Sequence, residues 1–258
     1  MEKKFKLLEN ETVVVNGKTL HRIEALKDFA DAKTGDMGGY VESESNLSQE
    51  GNCWVDGNAV VYGSARIYDS AQIYGNAEIT GNAVVYGRAR VCGDARIYRR
   101  ARIYGNAVVC GDAEITGRAR VYDDARVYDD ARIFGNAQVY GGASIYGSAR
   151  IFDDAKIFDD AKIFGRARVF GNAMICGDAE ISDKAGYYVS KNIWSSGRYI
   201  TFTRSNKMWR VGCFHGTGEE LIRKAYKDGA VSGREYERIV RYVEAMYADL
   251  ERDGENKE

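Results

Sequence analysis

Histidine is scarce in this chain of 258 residues, where His21 and His215 are the only two. Neither falls between 51 and 185, the stretch with the most regular pattern, so general-base chemistry there has no imidazole to carry it. No apolar run approaches the length of a bilayer span, and the opening MEKKFKLLENE has no apolar core or small-residue cleavage site of a secretory signal. A cytoplasmic protein with no membrane partner is therefore expected. Formal net charge is only −1, so no global pull toward nucleic acid arises. With no recognition helix evident either, nucleic acid is not an expected partner. The five cysteines, Cys53, Cys92, Cys110, Cys176 and Cys213, are an odd and scattered set with no CxxC pair, which argues against zinc. Three of them replace aromatics in the repeat, and they read as reduced substitutes rather than a disulfide framework.

What the chain does have is a six-residue phrase repeated without a break. Alanine returns at every sixth position from Ala59 to Ala185, and valine or isoleucine at every sixth from Val55 to Ile181. A period this strict specifies a solenoid. Alanine and the Val/Ile two residues later share one strand face, because side chains alternate at period two, and that face is the core. The residue between them varies among Arg, Lys, Glu, Gln and Val, as an outward position should. Tyr or Phe follows Val/Ile and also points outward. Then come Gly-Asn, Gly-Asp, Asp-Asp or Gly-Arg, pairs suited to a turn with at least one residue at positive φ. Each hexad is one short strand and one corner.

The flanks differ. Lys4 to Leu8 and Glu11 to Val15 are rich in strand formers, Asn16-Gly17 signals a hairpin, and Lys18 to Leu26 reads as the returning strand. Before Gly51 the register continues less regularly, with Val41 and Leu47 at the alanine position. This predicts an atypical first coil with Trp54 in the cover over its end. After Ala185, Gly186 to Trp194 is an aromatic-rich closing segment, and Arg198 to Thr203 is expected to pair with Lys207 to Phe214 around Ser205-Asn206. Thr217 with Glu220, and Ser232 with Glu235, have capping-box spacing and predict two helices, the first ending at Gly229 and the second near Arg252. The tail from 254 to 258 is expected to fray. Three units follow: 1–50, a hairpin and capping coil; 51–185, the repeat array; and 186–258, a hairpin plus two helices docked on the last coil.

Ile67-Tyr68-Asp69-Ser70-Ala71, with its small residue four positions after isoleucine, resembles the hexapeptide repeat of left-handed parallel β-helix proteins. The flanks GDMGGYVESESNLSQEGNCWV and WRVGCFHGT (Trp209–Thr217) are similar to bacterial and phage proteins of the YdcK type, commonly labelled acyltransferase-like. The resemblance implies a mainly β chain: a left-handed parallel β-helix with three hexads per 18-residue coil, an N-terminal β-hairpin cap and a small α+β C-terminal domain. It also implies a homo-oligomer, with a trimer favoured. Members that transfer acyl groups use a histidine near the coils and an inserted loop that reaches a neighbour's acyl-CoA. Here no loop interrupts the hexads, and His215 is the one candidate base.

With 18 residues per coil, residues 18 apart stack about 4.8 Å apart, and the surface reads as ladders. Glu78, Arg96, Glu114 and Arg132 alternate in sign, which favours neighbouring strands. The column continues as Arg150 and Arg168, flanked by Phe134, Phe152 and Phe170. A second face sets Tyr104 and Tyr122 beside Arg102 and Arg120, within a tyrosine column from Tyr68 to Tyr140. One corner reads Asn58, Asn76, Asp94, Asp112, Asp130, Ser148, Arg166, Lys184. Its acids suit a cation such as calcium, but Arg96 and Arg132 can neutralise them, so no metal is expected. Cys92 and Cys110 should lie side by side. Aromatic columns brace a thin solenoid by stacking on themselves, while arginine beside phenylalanine also stacks on bases and holds phosphate. The expected function is a non-catalytic binding or assembly protein with no required cofactor, possible in a phage setting and taking an anionic, nucleotide-like small molecule at clefts between copies. The alternatives are an acyl-CoA-dependent acyltransferase and a purely structural scaffold.

Overall fold

A computed structural model describes residues 2–255, and the repeat forms a parallel β-solenoid. Each hexad contributes a two-residue strand, such as Arg96–Ile97, whose first residue faces out and whose second is buried. Pairing is parallel and in register at a spacing of 18, as in Arg96 with Glu114 and Ile97 with Ile115. Three hexads per coil give three faces. The first carries the strands at 60, 78, 96, 114, 132, 150 and 168, the second those from 66 to 174, and the third those from 54 to 180. The repeated alanines and Val/Ile residues form one continuous core with essentially no exposure. A buried Val or Ile contributes on the order of 1.5–3 kcal/mol, and every coil supplies three.

The first residue of each corner has positive φ, and most are glycine, as at Gly105 (φ 70°). A Cβ on Gly105 would come within 2.7 Å of the Asp123 backbone nitrogen in the next coil. Aspartate takes this place at 69, 123, 129, 153 and 159. At four of these the carboxylate accepts from the backbone N–H stacked above it: Gly87 on Asp69 (3.1 Å), Gly147 on Asp129 (2.9 Å), Gly171 on Asp153 (3.1 Å) and Gly177 on Asp159 (3.1 Å). That bond offsets the left-handed backbone an L-residue resists. Arg99 (φ 62°) stands in the same place with no such bond, and nothing in the fold explains it.

The N-terminal hairpin pairs Phe5–Val15 with Lys18–Ala25. The first strand is continuous, where the sequence suggested two pieces, because an irregularity between Leu8 and Thr12 absorbs the interruption. The hairpin joins the first face through Met37–Val41. Val41 pairs with Val61, and Leu47 with Ile67, a spacing of 20 rather than 18. They therefore hold the Val/Ile place of a longer first coil, not the alanine place. A two-residue shift preserves alternation, so both still point inward. Trp54 is almost fully covered and meets Phe29 edge-on at 5.3 Å. Lys4 is buried beneath this cover, where its Nζ donates to the Cys53 and Glu50 carbonyls at 2.9 and 3.3 Å, and burial pulls its pKa down.

Beyond the last coil strand, Glu180–Ile181, an antiparallel four-stranded sheet is built from Tyr187–Lys191, Tyr199–Thr203, Met208–Val211 and Phe214–Gly216. It docks on the final coils: Met174 N–H donates to Thr201 Oγ1 (3.1 Å), Glu180 N–H to Ser205 Oγ (2.8 Å), and Asn206 Nδ2 to Asp178 (3.0 Å). Helix α1, Gly218–Asp228, begins in the expected Thr217–Glu220 capping box. Helix α2, Ala230–Glu255, starts two residues before Ser232. Gly229 makes the whole break between the helices, so α2 needs no cap at Ser232. Part of the tail expected to fray is helical through Glu255, and the remainder lies outside the described residues. Among the described residues no helix is long and apolar enough to cross a membrane.

Candidate functional site

Stacking turns single residues of the repeat into columns. On the first face the outward column runs Val60, Glu78, Arg96, Glu114, Arg132, Arg150, Arg168. Within its alternating half, the ion pair that forms is Arg132 Nε with Glu114 Oε2 at 3.5 Å. Glu78 and Glu114 also accept from the phenols of Tyr62 and Tyr98 one coil below. Above Arg132 no carboxylate intervenes. Arg150 and Arg168 make no ion pair among the described residues, and the Arg168 guanidinium lies over the Phe152 ring at 5.6 Å. Phe134, Phe152 and Phe170 stack beside them at 4.9 and 5.2 Å, and Phe170 is nearly half exposed. The result is a strip of three guanidinium groups, one paired, next to three parallel rings.

Tyr104 and Tyr122 stack at 4.8 Å on the second face, within an unbroken column from Tyr68 to Phe158. Arg102 and Arg120 are neighbours there. Burial, reinforced by the adjacent phenols, pushes the Tyr122 pKa up to about 12. Arg210 of the C-terminal sheet covers the end of this column, over Phe158 at 5.3 Å. The predicted residues thus occupy two different faces. The corner between those faces carries Arg99, Arg100 and Arg118 on its middle coils and Asp153 and Asp154 further along. The other two corners are rich in acids, including Asp123-Asp124, Asp159-Asp160 and Asp129-Asp130.

The aromatic column of the first face is incomplete. It reads Tyr62, Thr80, Tyr98, Thr116, Phe134, Phe152, Phe170, with threonine in two places. At Thr116 the gap opens into a hollow of about 380 Å³ lined by Tyr98, Arg99, Glu114, Thr116, Arg132 and Phe134. Thr116 Oγ1 is covered, and the Tyr98 phenol is its polar neighbour. Burial, together with the bond to Glu114, raises the Tyr98 pKa. The N-terminal hairpin reaches the other gap's wall, where Asn16 Nδ2 donates to the Tyr62 hydroxyl at 2.8 Å. Sequence reading missed this hollow, though its signal was legible: threonine replaces tyrosine at 80 and 116 in a column of period 18.

The histidines stand apart from these columns. His21 Nδ1 lies 3.4 Å from the Leu8 carbonyl oxygen inside the hairpin. His215 is exposed on Phe214–Gly216, opposite Arg210 and against the corner at Gly177. Neither lines the hollow. Cys92 and Cys110 are side by side, as the register requires, with Cα atoms 4.6 Å apart. They are joined as a disulfide, which corrects the reading of all five cysteines as reduced. In-register stacking brings every identical pair 18 residues apart within bonding reach. Cys53, Cys176 and Cys213 are free, and burial raises the Cys176 pKa to about 11. Among the described residues no three His, Cys, Asp or Glu side chains are placed to hold a metal ion. The corner acids instead engage neighbouring amides, as in Asn76 Nδ2 to Asp94 Oδ1 at 3.0 Å.

The family profile of the YdcK β-solenoid repeat matches residues 71–87 and 125–141. The chain is a YdcK-like repeat β-helix protein. The second match begins three whole coils after the first, so both fall in the same phase of the coil. No curated protein matches the chain. In this YdcK-like chain the repeat accounts for the solenoid and its core. The Arg-Phe strip and the hollow are particular residues placed on that frame.

Proposed function

We propose that this YdcK-like chain is a non-catalytic binding module that takes an anionic, nucleotide-like small molecule on the first face, with copies of the chain closing the site from the side. The observation that carries this reading is the column Arg132, Arg150, Arg168, in which two of three guanidinium groups lack a carboxylate, beside a ladder of parallel phenylalanine rings. Like charges on neighbouring strands are unfavourable. An anion bridging them relieves that repulsion and uses the planar donors arginine offers to phosphate. Aromatic neighbours exclude water on one side and strengthen the contact.

Isothermal titration with inorganic tripolyphosphate tests this reading on the full chain. Binding that weakens with salt, and that Arg150→Glu with Arg168→Glu reduces at least tenfold, supports it; absence of binding by the unaltered protein overturns it. Native mass spectrometry of the same sample reports the oligomer and any small molecule it retains. Stoichiometric uptake of acetyl-CoA, lost in His215→Ala and retained in the double arginine variant, would instead support an acyltransferase.

A further inference from the structure

The hollow at Thr116 is one aromatic place in a stacked column. Rings in this ladder sit 4.9 and 5.2 Å apart. Tyr98 and Phe134 are two coils apart, so their levels differ by about 9.6 Å along the axis. The level midway between them is one coil, about 4.8 Å, from each, the interval that holds one planar ring in the rest of the ladder. Thr116 forms the floor and is too short to fill that place itself. The covered Thr116 hydroxyl has the Tyr98 phenol beside it, and the Glu114 carboxylate stands at one side. From the hollow, Arg132, Arg150 and Arg168 run up the same face at successive coils. Three guanidinium groups at this interval span about 9.6 Å, the reach of a chain of three phosphates.

Resting on the reading of the first face as an anion site, we infer that the Thr116 hollow is a base-binding subsite. The ligand class is then a nucleoside polyphosphate. Its planar base intercalates between Tyr98 and Phe134, and its phosphates lie along Arg132, Arg150 and Arg168. The floor is made by a missing ring, so specificity for a base arises from the break in the repeat rather than from an added loop. Arg99 closes the side of the hollow with a second positive charge. Its place on the left-handed corner, unexplained by the fold, puts a cation where glycine or aspartate is the rule. Hydrogen-bonding groups at the edge of a base meet Glu114 and Thr116, whereas a bare phosphate chain meets neither.

Titration of the full chain with ATP and with inorganic tripolyphosphate, as separate probes, tests the subsite. Base stacking on aromatic side chains is worth enough for ATP to bind about tenfold or more tightly than tripolyphosphate. Thr116→Tyr supplies the missing ring in a residue type the ladder already uses. It is expected to abolish the ATP preference while tripolyphosphate binding falls by no more than about threefold, since the new ring meets Arg132 at the hollow but does not reach Arg150 or Arg168. Phe134→Ala removes one wall without adding bulk and is expected to lower the preference several-fold, which keeps the test open should the tyrosine variant fold poorly. Equal binding of ATP and tripolyphosphate, or a preference that survives in both variants, overturns the base subsite while leaving the arginine strip standing. Failure of both probes to bind overturns the strip and the subsite together.

Discussion

Asp129 offers a quantitative test of how this solenoid turns its corners. Its backbone is left-handed (φ 55°), and its carboxylate accepts from the Gly147 N–H at 2.9 Å. The bond is exposed, so it contributes about 0.5–1.5 kcal/mol. A residue without a locally bonding side chain in this backbone region loses about 1–2 kcal/mol relative to glycine. Asp129→Asn keeps an acceptor and should be nearly neutral. Asp129→Gly loses the bond but relieves the backbone, so the two terms oppose and the net change stays within about 1 kcal/mol. Asp129→Ala loses the bond and keeps the strain, for a loss of about 0.5–1.5 kcal/mol. Arg99 is the counterpart at the same repeat position without a partner, and Arg99→Gly should stabilise by about 1 kcal/mol. Urea unfolding followed by far-ultraviolet circular dichroism gives all four values. An alanine variant as stable as the glycine variant, or an Arg99→Gly variant below the parent, would refute the argument.

Two further outcomes follow from the columns. The Cys92–Cys110 bond closes a loop of 18 residues and is expected to contribute up to about 3 kcal/mol by restricting the unfolded chain. Intact mass without reductant should lie two hydrogens below the reduced value, and Cys92→Ser should lower the denaturation midpoint; two reactive thiols there in the unreduced folded protein would contradict the pairing. Burial raises the pKa of Tyr68, Tyr104, Tyr122 and Tyr140 above the ordinary 10, to about 12 for Tyr122. The folded chain then holds phenolic protons that the unfolded chain releases. That contribution is complete below pH 10 and is lost as pH rises from 10 through about 12. Tyrosinate absorbance should therefore rise together with loss of dichroism, and those four phenols titrating near 10 in a fully folded protein would show that burial does not shield them.

The period of six and the identity of its inward residues determined the solenoid, its core and its corners before any coordinates. A buried face with side-chain alternation allows one phase for Ala and Val/Ile, as at Ala113 and Ile115, and the corner residues tolerate positive φ for local reasons. Capping at Thr217 was legible for the same reason, since the box lies within four residues. The family likeness added the count of hexads per coil, and the arginine and aromatic columns then followed by counting in steps of 18. Tertiary structure decided what depends on contacts between coils and between domains. The first coil takes 20 residues because the hairpin enters there, and only pairing with Val61 and Ile67 reveals it. Glu114 divides its carboxylate between Tyr98 and Arg132, so an alternation of charge in the sequence is not a run of equal ion pairs. Arg210 reaches Phe158 only because the C-terminal sheet docks on the last coils. The hollow at Thr116 needed both: a small residue at one step of the column, which the sequence holds, and Tyr98 and Phe134 one coil to either side of it, which the stacking of coils brings to one wall.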